Sequence, residues 1–184
     1  MDWNARYQSN PGYVFGKDPT RFLLENRAFL PTPGVALDVA AGEGRNAAYL
    51  AKLGFRVAGI DLSKPGLIKA ARLAFEHGVA IQPVIADLTK IALAPASLDL
   101  IVCINFLERR LLPVLMEALK PKGRLFMETY TKGQVKYGFG PSNAEHLLNE
   151  GELLDLFGAF RVVFYREHDN EITGAKAGVI VEKS

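Results

Sequence analysis

At 184 residues, 49% hydrophobic and 23% charged, the chain has the size and composition of one globular domain, not of a disordered or fibrous protein. A net charge of +2 without a dense lysine–arginine block leaves no electrostatic footprint for nucleic acid or an anionic membrane. There is no apolar run near the ~18 residues of a membrane span, no signal-peptide core in MDWNARYQSN, and one cysteine, so a cytoplasmic address is expected.

In chain order, residues 1–17 carry Trp3, Tyr7, Tyr13 and Phe15, but Asn4, Ser9, Asn10, Pro11 and Gly12 interrupt any regular period. A segment of this kind is expected to order over a bound ligand as a lid. A leading helix is expected over residues 19–30, so that residues 1–30 form lid and helix and residues 34–184 an α/β core within a single domain. The run Val35-Ala36-Leu37 reads as a strand ending in Asp38. The small-residue loop Ala40-Ala41-Gly42-Glu43-Gly44 follows, then helical spacing over residues 45–53. A second strand over 55–60 closes on Asp61. This unit sets backbone N–H groups and an acid at the carboxyl end of a parallel sheet, the arrangement that binds a nucleoside cofactor.

Farther along, a helix is expected over 65–77, with Pro65 in its first turn and Gly78 at its end. Strands are expected over 81–86, ending at Asp87-Leu88, over 98–104, ending at Asn105-Phe106, and over 122–130. Helices fall over 113–119 and 151–157, and residues 160–167 and 175–182 read as an antiparallel pair. The alternation predicts an α/β, Rossmann-like, doubly wound and mostly parallel sheet with helices on both faces and that pair at its C-terminal end. Cys103 lies in the apolar run of the fourth strand and reads as a buried strand residue.

Two cofactor readings fit the loop. Gly42-x-Gly44-x-x-Ala47 with Asp61 matches the dinucleotide fingerprint, which would make the chain an NAD(P)-dependent oxidoreductase. Asp38-x-Ala40-x-Gly42-x-Gly44 matches the first motif of class I methyltransferases that use S-adenosylmethionine. An acid before the loop would attract the ammonium and sulfonium of that cofactor and repel a pyrophosphate. Asp38 as a simple helix cap is the plainer alternative.

Longer stretches carry the resemblance further. Leu119-Lys120-Pro121-Lys122-Gly123-Arg124-Leu125 is similar to the turn into strand five of class I methyltransferases. The segments Phe106 to Pro113, Trp3-Asn4-x-Arg6-Tyr7 and Gly140-Pro141-Ser142-Asn143 resemble a narrower group, the small tellurite-resistance and thiopurine-type methyltransferases. The resemblance implies that Asp38, Ala40, Gly42 and Gly44 cradle the methionine and ribose of S-adenosylmethionine. It places Asp61 on the ribose hydroxyls, Leu62, Asp87 and Leu88 around the adenine, and Asn105 on the sulfonium side. It also implies that Trp3, Arg6 and Tyr7 belong to a lid. Tellurite-type members tend to carry a His-Arg pair before the last strand, where this chain has Ile172-Thr173-Gly174-Ala175-Lys176.

Methyl transfer from a sulfonium is an in-line displacement that rests mainly on positioning. His146 and His168 are the candidate general bases, and Phe106 and Tyr130 are candidate walls for the sulfonium or acceptor. No His/Cys/Asp set has metal-ligand spacing. The expectation is therefore a methyltransferase acting on a small-molecule acceptor. A non-catalytic protein that binds S-adenosylmethionine is a further alternative.

Overall fold

A computed structural model describes residues 2–184; Met1, the first residue of the expected lid, lies outside them. The strands are β1 (Val35–Val39), β2 (Arg56–Asp61), β3 (Gln82–Ile85), β4 (Leu98–Ile104), β5 (Leu119–Tyr130), β6 (Arg161–Asn170) and β7 (Gly174–Glu182). They form one seven-stranded sheet in the order β3-β2-β1-β4-β5-β7-β6. The first five run parallel, and β7 inserts antiparallel between β5 and β6. Strand order reverses between β1 and β4. A crevice therefore opens beyond their carboxyl ends, the position where open α/β sheets bind ligands.

Helices cover both faces because the central strands are apolar on both. Leu100, Ile101, Val102 and Cys103 are all buried. Successive residues point to opposite sides. Leu37, Ile101, Met127 and Val179 join one core with Leu115 of α5 (Leu112–Ala118), with Leu153 of α6 (Glu152–Leu156) and with Phe157. Ala36, Leu100, Val102, Phe126 and Ile180 join the other. There they meet Phe22 and Leu23 of α2 (Arg21–Glu25) and Leu50 of α3 (Arg45–Lys52). Phe126, fully buried beneath Phe22 at a ring separation of 6.4 Å, contributes on the order of 1.5–3 kcal/mol by burial alone. Helix α4 (Lys64–Glu76) begins where Ser63 accepts from the N–H of Gly66 and has Pro65 in its first turn, as its sequence predicts.

Three elements differ from expectation. Residues 3–9, expected to lack regular structure, form helix α1 (Trp3–Ser9). Asp2 caps it by accepting from Ala5 N–H at 3.1 Å, and the i,i+4 rings of Trp3 and Tyr7 stack at 5.5 Å. The leading helix expected over 19–30 stops at Asn26, where the Asn26 amide donates to the carbonyl of Phe22 and the chain tightens into a single 3₁₀ turn, Arg27–Phe29. Strand β5 begins at Leu119 rather than Lys122, because Leu119 pairs with Leu98 across a register shift. Among the described residues no helix is long and apolar enough to cross a membrane.

Candidate functional site

A cleft of about 350 Å³ lies over the carboxyl ends of β1, β2 and β4. Its floor is the loop after β1, in which Ala40, Gly42 and Gly44 take left-handed φ values of 54°, 55° and 76°. The loop is tied to β2 at two points. Ala41 N–H donates to the Ile60 carbonyl at 2.9 Å, and Gly42 N–H to Asp61 Oδ2 at 2.8 Å. The second oxygen of Asp61 accepts from Ser63 N–H at 2.8 Å. Each carboxylate oxygen thus keeps one lone pair for a ligand hydroxyl.

Ala40, Gly42, Asp61, Leu62, Asp87, Leu88, Asn105 and Phe106 all line this cleft, as do Trp3 and Tyr7 of α1. The hydroxyl and N–H of Thr89 hold the Asp87 carboxyl below the usual carboxylate range, with help from Lys90. Leu62 is two-thirds exposed, an apolar side chain left open at the mouth. Asn105 adopts φ 58°, unusual for a non-glycine residue, and its side-chain oxygen accepts from Lys176 Nζ at 2.6 Å.

Several sequence assignments require correction in their geometry. Asp38 is buried beneath the loop and accepts from the N–H of Ala47, in the first turn of α3, at 3.0 Å. Burial pushes its carboxyl up to about 7, against the pull of that hydrogen bond. It serves as a helix cap and does not face the cleft. Gly44 does not face it either. A Cβ there would lie 2.8 Å from the Cα of Ala70 in α4, so this glycine permits α3–α4 packing. A Cβ on Gly42 would lie 2.6 Å from the Tyr7 hydroxyl, so the space above the loop belongs to Tyr7.

Arg6 packs its guanidinium 5.2 Å from the rings of both Trp3 and Phe15, and is not among the cleft-lining residues. Tyr130 is not among the cleft-lining residues either, and Lys176 Nζ lies 4.4 Å from its ring centroid. Neither histidine reaches the cleft. His146 is exposed on a 3₁₀ turn. His168 borders a second cavity, and burial lowers its proton affinity.

Some cleft residues escape a sequence reading. Glu43 is buried and accepts from Val14 N–H at 2.8 Å and from Lys69 Nζ at 2.9 Å. Lys69 in turn donates to the carbonyls of Asn10 and Gly12, and Arg45 donates to the carbonyl of Phe15. The N-terminal segment is thereby strapped across the cleft by polar contacts. Tyr7 is buried under it, and its phenol is pushed well above the ordinary range by burial and by Asp61 and Glu43. Only Arg45 offered a local cue, as a cation directly after the glycine loop.

Comparison with known proteins agrees with this architecture. Residues 36–123 match a family model described as a methyltransferase domain. The chain is 28% identical over 152 residues to the ubiquinone biosynthesis O-methyltransferase of Xanthomonas axonopodis pv. citri, a match covering 79% of this chain and 62% of that protein. Against the corresponding protein of Idiomarina loihiensis the coverage of the relative is 49%, so the match spans from about half to less than two thirds of the length of these curated relatives. Two solved structures share the fold. The 1,6-didemethyltoxoflavin-N1-methyltransferase of Burkholderia thailandensis, solved with S-adenosylhomocysteine, aligns with a TM-score of 0.74 at 22% identity over 100% of this chain and 86% of that one. TehB from Haemophilus influenzae aligns with a TM-score of 0.73 at 16% identity over 99% and 67%. Over residues 36–123 the chain is thus similar to methyltransferase domains, and its fold is the one these solved methyltransferases share.

Proposed function

We propose that the protein transfers a methyl group from S-adenosylmethionine to a small-molecule acceptor. The observation that carries this reading is the placement of Asp61 and Asp87 at the carboxyl ends of adjacent strands, both facing one cleft whose opposite wall is Asn105 and Phe106. The cleft's volume lies within the ~300–1,000 Å³ range of small-molecule sites, and both acids line it. Bound there, S-adenosylmethionine would supply an electrophilic methyl group on a positively charged sulfur.

The protein's own residues do the rest by binding and orientation. Asp61 offers one free lone pair per oxygen to a pair of ribose hydroxyls. Asp87 accepts from an adenine amino group while Leu62 and Leu88 flank the ring. Arg45, at the edge of the glycine loop, is placed for the methionine carboxylate. Trp3, Tyr7 and Phe15 roof the cleft and exclude water from the reacting centre. With reacting atoms held ~3 Å apart in line, positioning alone supplies much of the rate.

The oxidoreductase alternative loses ground on steric grounds. The room above Gly42 that a dinucleotide pyrophosphate would require is occupied by the Tyr7 hydroxyl. Titration calorimetry with S-adenosylhomocysteine and, separately, with NADH tests the proposal: the first should bind one to one and the second should not. Binding of NADH alone would overturn it.

A further inference from the structure

Asn105 follows β4 at the wall of the first cleft, and two neighbouring strands hold it there. Its φ of 58° is a left-handed value that asparagine tolerates better than most side chains do. Its backbone N–H donates to the Glu128 carbonyl of β5 at 2.8 Å, and its side-chain oxygen accepts from Lys176 Nζ of β7 at 2.6 Å. Neither partner lines the cleft. Lys176 borders the second cavity and reaches the first cleft only through Asn105.

The lysine settles which end of the amide is which. An ammonium has three donors and no acceptor, so the amide atom beside it must be the oxygen. The NH₂ group diverges from that oxygen within the amide plane and so points away from Lys176. Among the described residues no protein group accepts from it. Lys176 also lies 3.7 Å from Glu128 Oε2, but that buried carboxylate is shared with Arg166 at 3.1 Å, so its charge is divided between two cations. At Asn105 the cleft wall is therefore a donor, the positive end of an amide dipole with an ammonium behind it.

Strand order says what this donor meets. In the order β3-β2-β1-β4, an adenine beyond β3 at Asp87 and a ribose on β2 at Asp61 send the nucleoside's 5′ substituent across β1 toward β4 and Asn105. On the methyltransferase reading above, we propose that Lys176 is a positioning residue: by holding the Asn105 oxygen it turns the amide NH₂ toward the cofactor's sulfur, so that the cleft favours the neutral thioether over the sulfonium. An amide oxygen in that place would favour the sulfonium instead. As the methyl group leaves, the carbon–sulfur electron pair stays on sulfur and its positive charge disappears. A wall that disfavours the charged state therefore opposes the bound reactant more than the transition state. The plainer role for Lys176, neutralising Glu128, makes no distinction between the two ligands.

The test is calorimetric titration of the whole protein with S-adenosylhomocysteine and, separately, with S-adenosylmethionine. The wild type should bind the thioether about tenfold more tightly than the sulfonium. Lys176→Met frees the amide to turn its oxygen inward and should remove most of that preference, mainly by tighter binding of S-adenosylmethionine, whereas Lys176→Arg should keep it. A purely structural lysine would weaken both ligands alike. In the wild type the side-chain ¹⁵Nδ2 resonance of Asn105 should also differ between the two complexes, a readout that does not depend on how well the Met variant folds. Equal affinities in the wild type, an unchanged ratio in Lys176→Met, or an Asn105 resonance that is the same in both complexes would overturn the proposal. The methyltransferase reading fails separately, by failure of both ligands to bind.

Discussion

Removing the Asp61 carboxylate should weaken nucleoside binding far more than it weakens the fold. In the structure each oxygen of Asp61 already accepts one backbone N–H at 2.8 Å, from Gly42 and from Ser63, and retains one lone pair. Two ribose hydroxyls can therefore bind without disturbing the loop. A hydrogen bond to a charged acceptor is worth ~1.5–3 kcal/mol, so losing the better of the two ribose contacts should cost about 10- to 150-fold in affinity. Asp61→Ala removes these and also frees the Gly42 amide, which lets the loop drift. Asp61→Asn is the finer probe: its NH₂ group must face one of the two backbone N–H donors, so it loses one ribose contact and one loop tie together. Calorimetric titration with S-adenosylhomocysteine, alongside near-ultraviolet circular dichroism and thermal melts, separates binding from folding. A folded Asp61→Ala protein that binds within twofold of wild type would refute the reasoning.

The glycine loop makes a paired prediction. Gly44→Val should unfold or severely destabilise the protein, because its Cβ meets the Ala70 backbone, whereas Gly42→Ala should remain folded and lose ligand affinity as it displaces the end of Tyr7. Melting curves of the two variants check this, and equal stability of both would count against it. The buried Asp38 predicts a reversed pH effect. Its carboxyl titrates near 7 in the fold against 3.8 ordinarily, so between those values the folded state holds a proton that the unfolded chain lacks, and stability falls as pH rises through that window. Asp38→Asn should flatten the slope in thermal melts from pH 4 to 8; parallel curves would show that Asp38 does not carry it. The N-terminal strap predicts that the amide of Val14, bound to buried Glu43, is protected from hydrogen exchange in the ligand-free protein. Fast exchange there without ligand and slow exchange with it would instead restore the lid.

Much of the sheet was legible because each central strand is an apolar run that stops at one polar residue. Asp38, Asp61, Asp87 and Asn105 mark the ends of β1, β2, β3 and β4 to within two residues. The cleft residues on those ends follow from the same pattern. What the pattern cannot say is which way an acid turns at the end of its strand. Asp38 and Asp61 look alike in sequence. One turns under the loop to cap α3 nine residues later, and the other turns outward to hold the loop from β2. Helix α1 was hidden because Pro11 and Gly12 advertise a loop, while its stability comes from an Asp2 cap and packing on α4. Histidines drew attention for their chemistry alone, yet the group beside Asn105 is Lys176, 71 residues away in the chain, brought there by the antiparallel insertion of β7. No local signal encodes that contact.

A structure of the protein with S-adenosylhomocysteine bound would show the cofactor site outright. The ribose hydroxyls should lie on Asp61, the adenine between Leu62 and Leu88 with its amino group toward Asp87, and the sulfur beside Asn105. A ligand bound elsewhere, or bound in the cleft with its ribose turned away from Asp61, would contradict it.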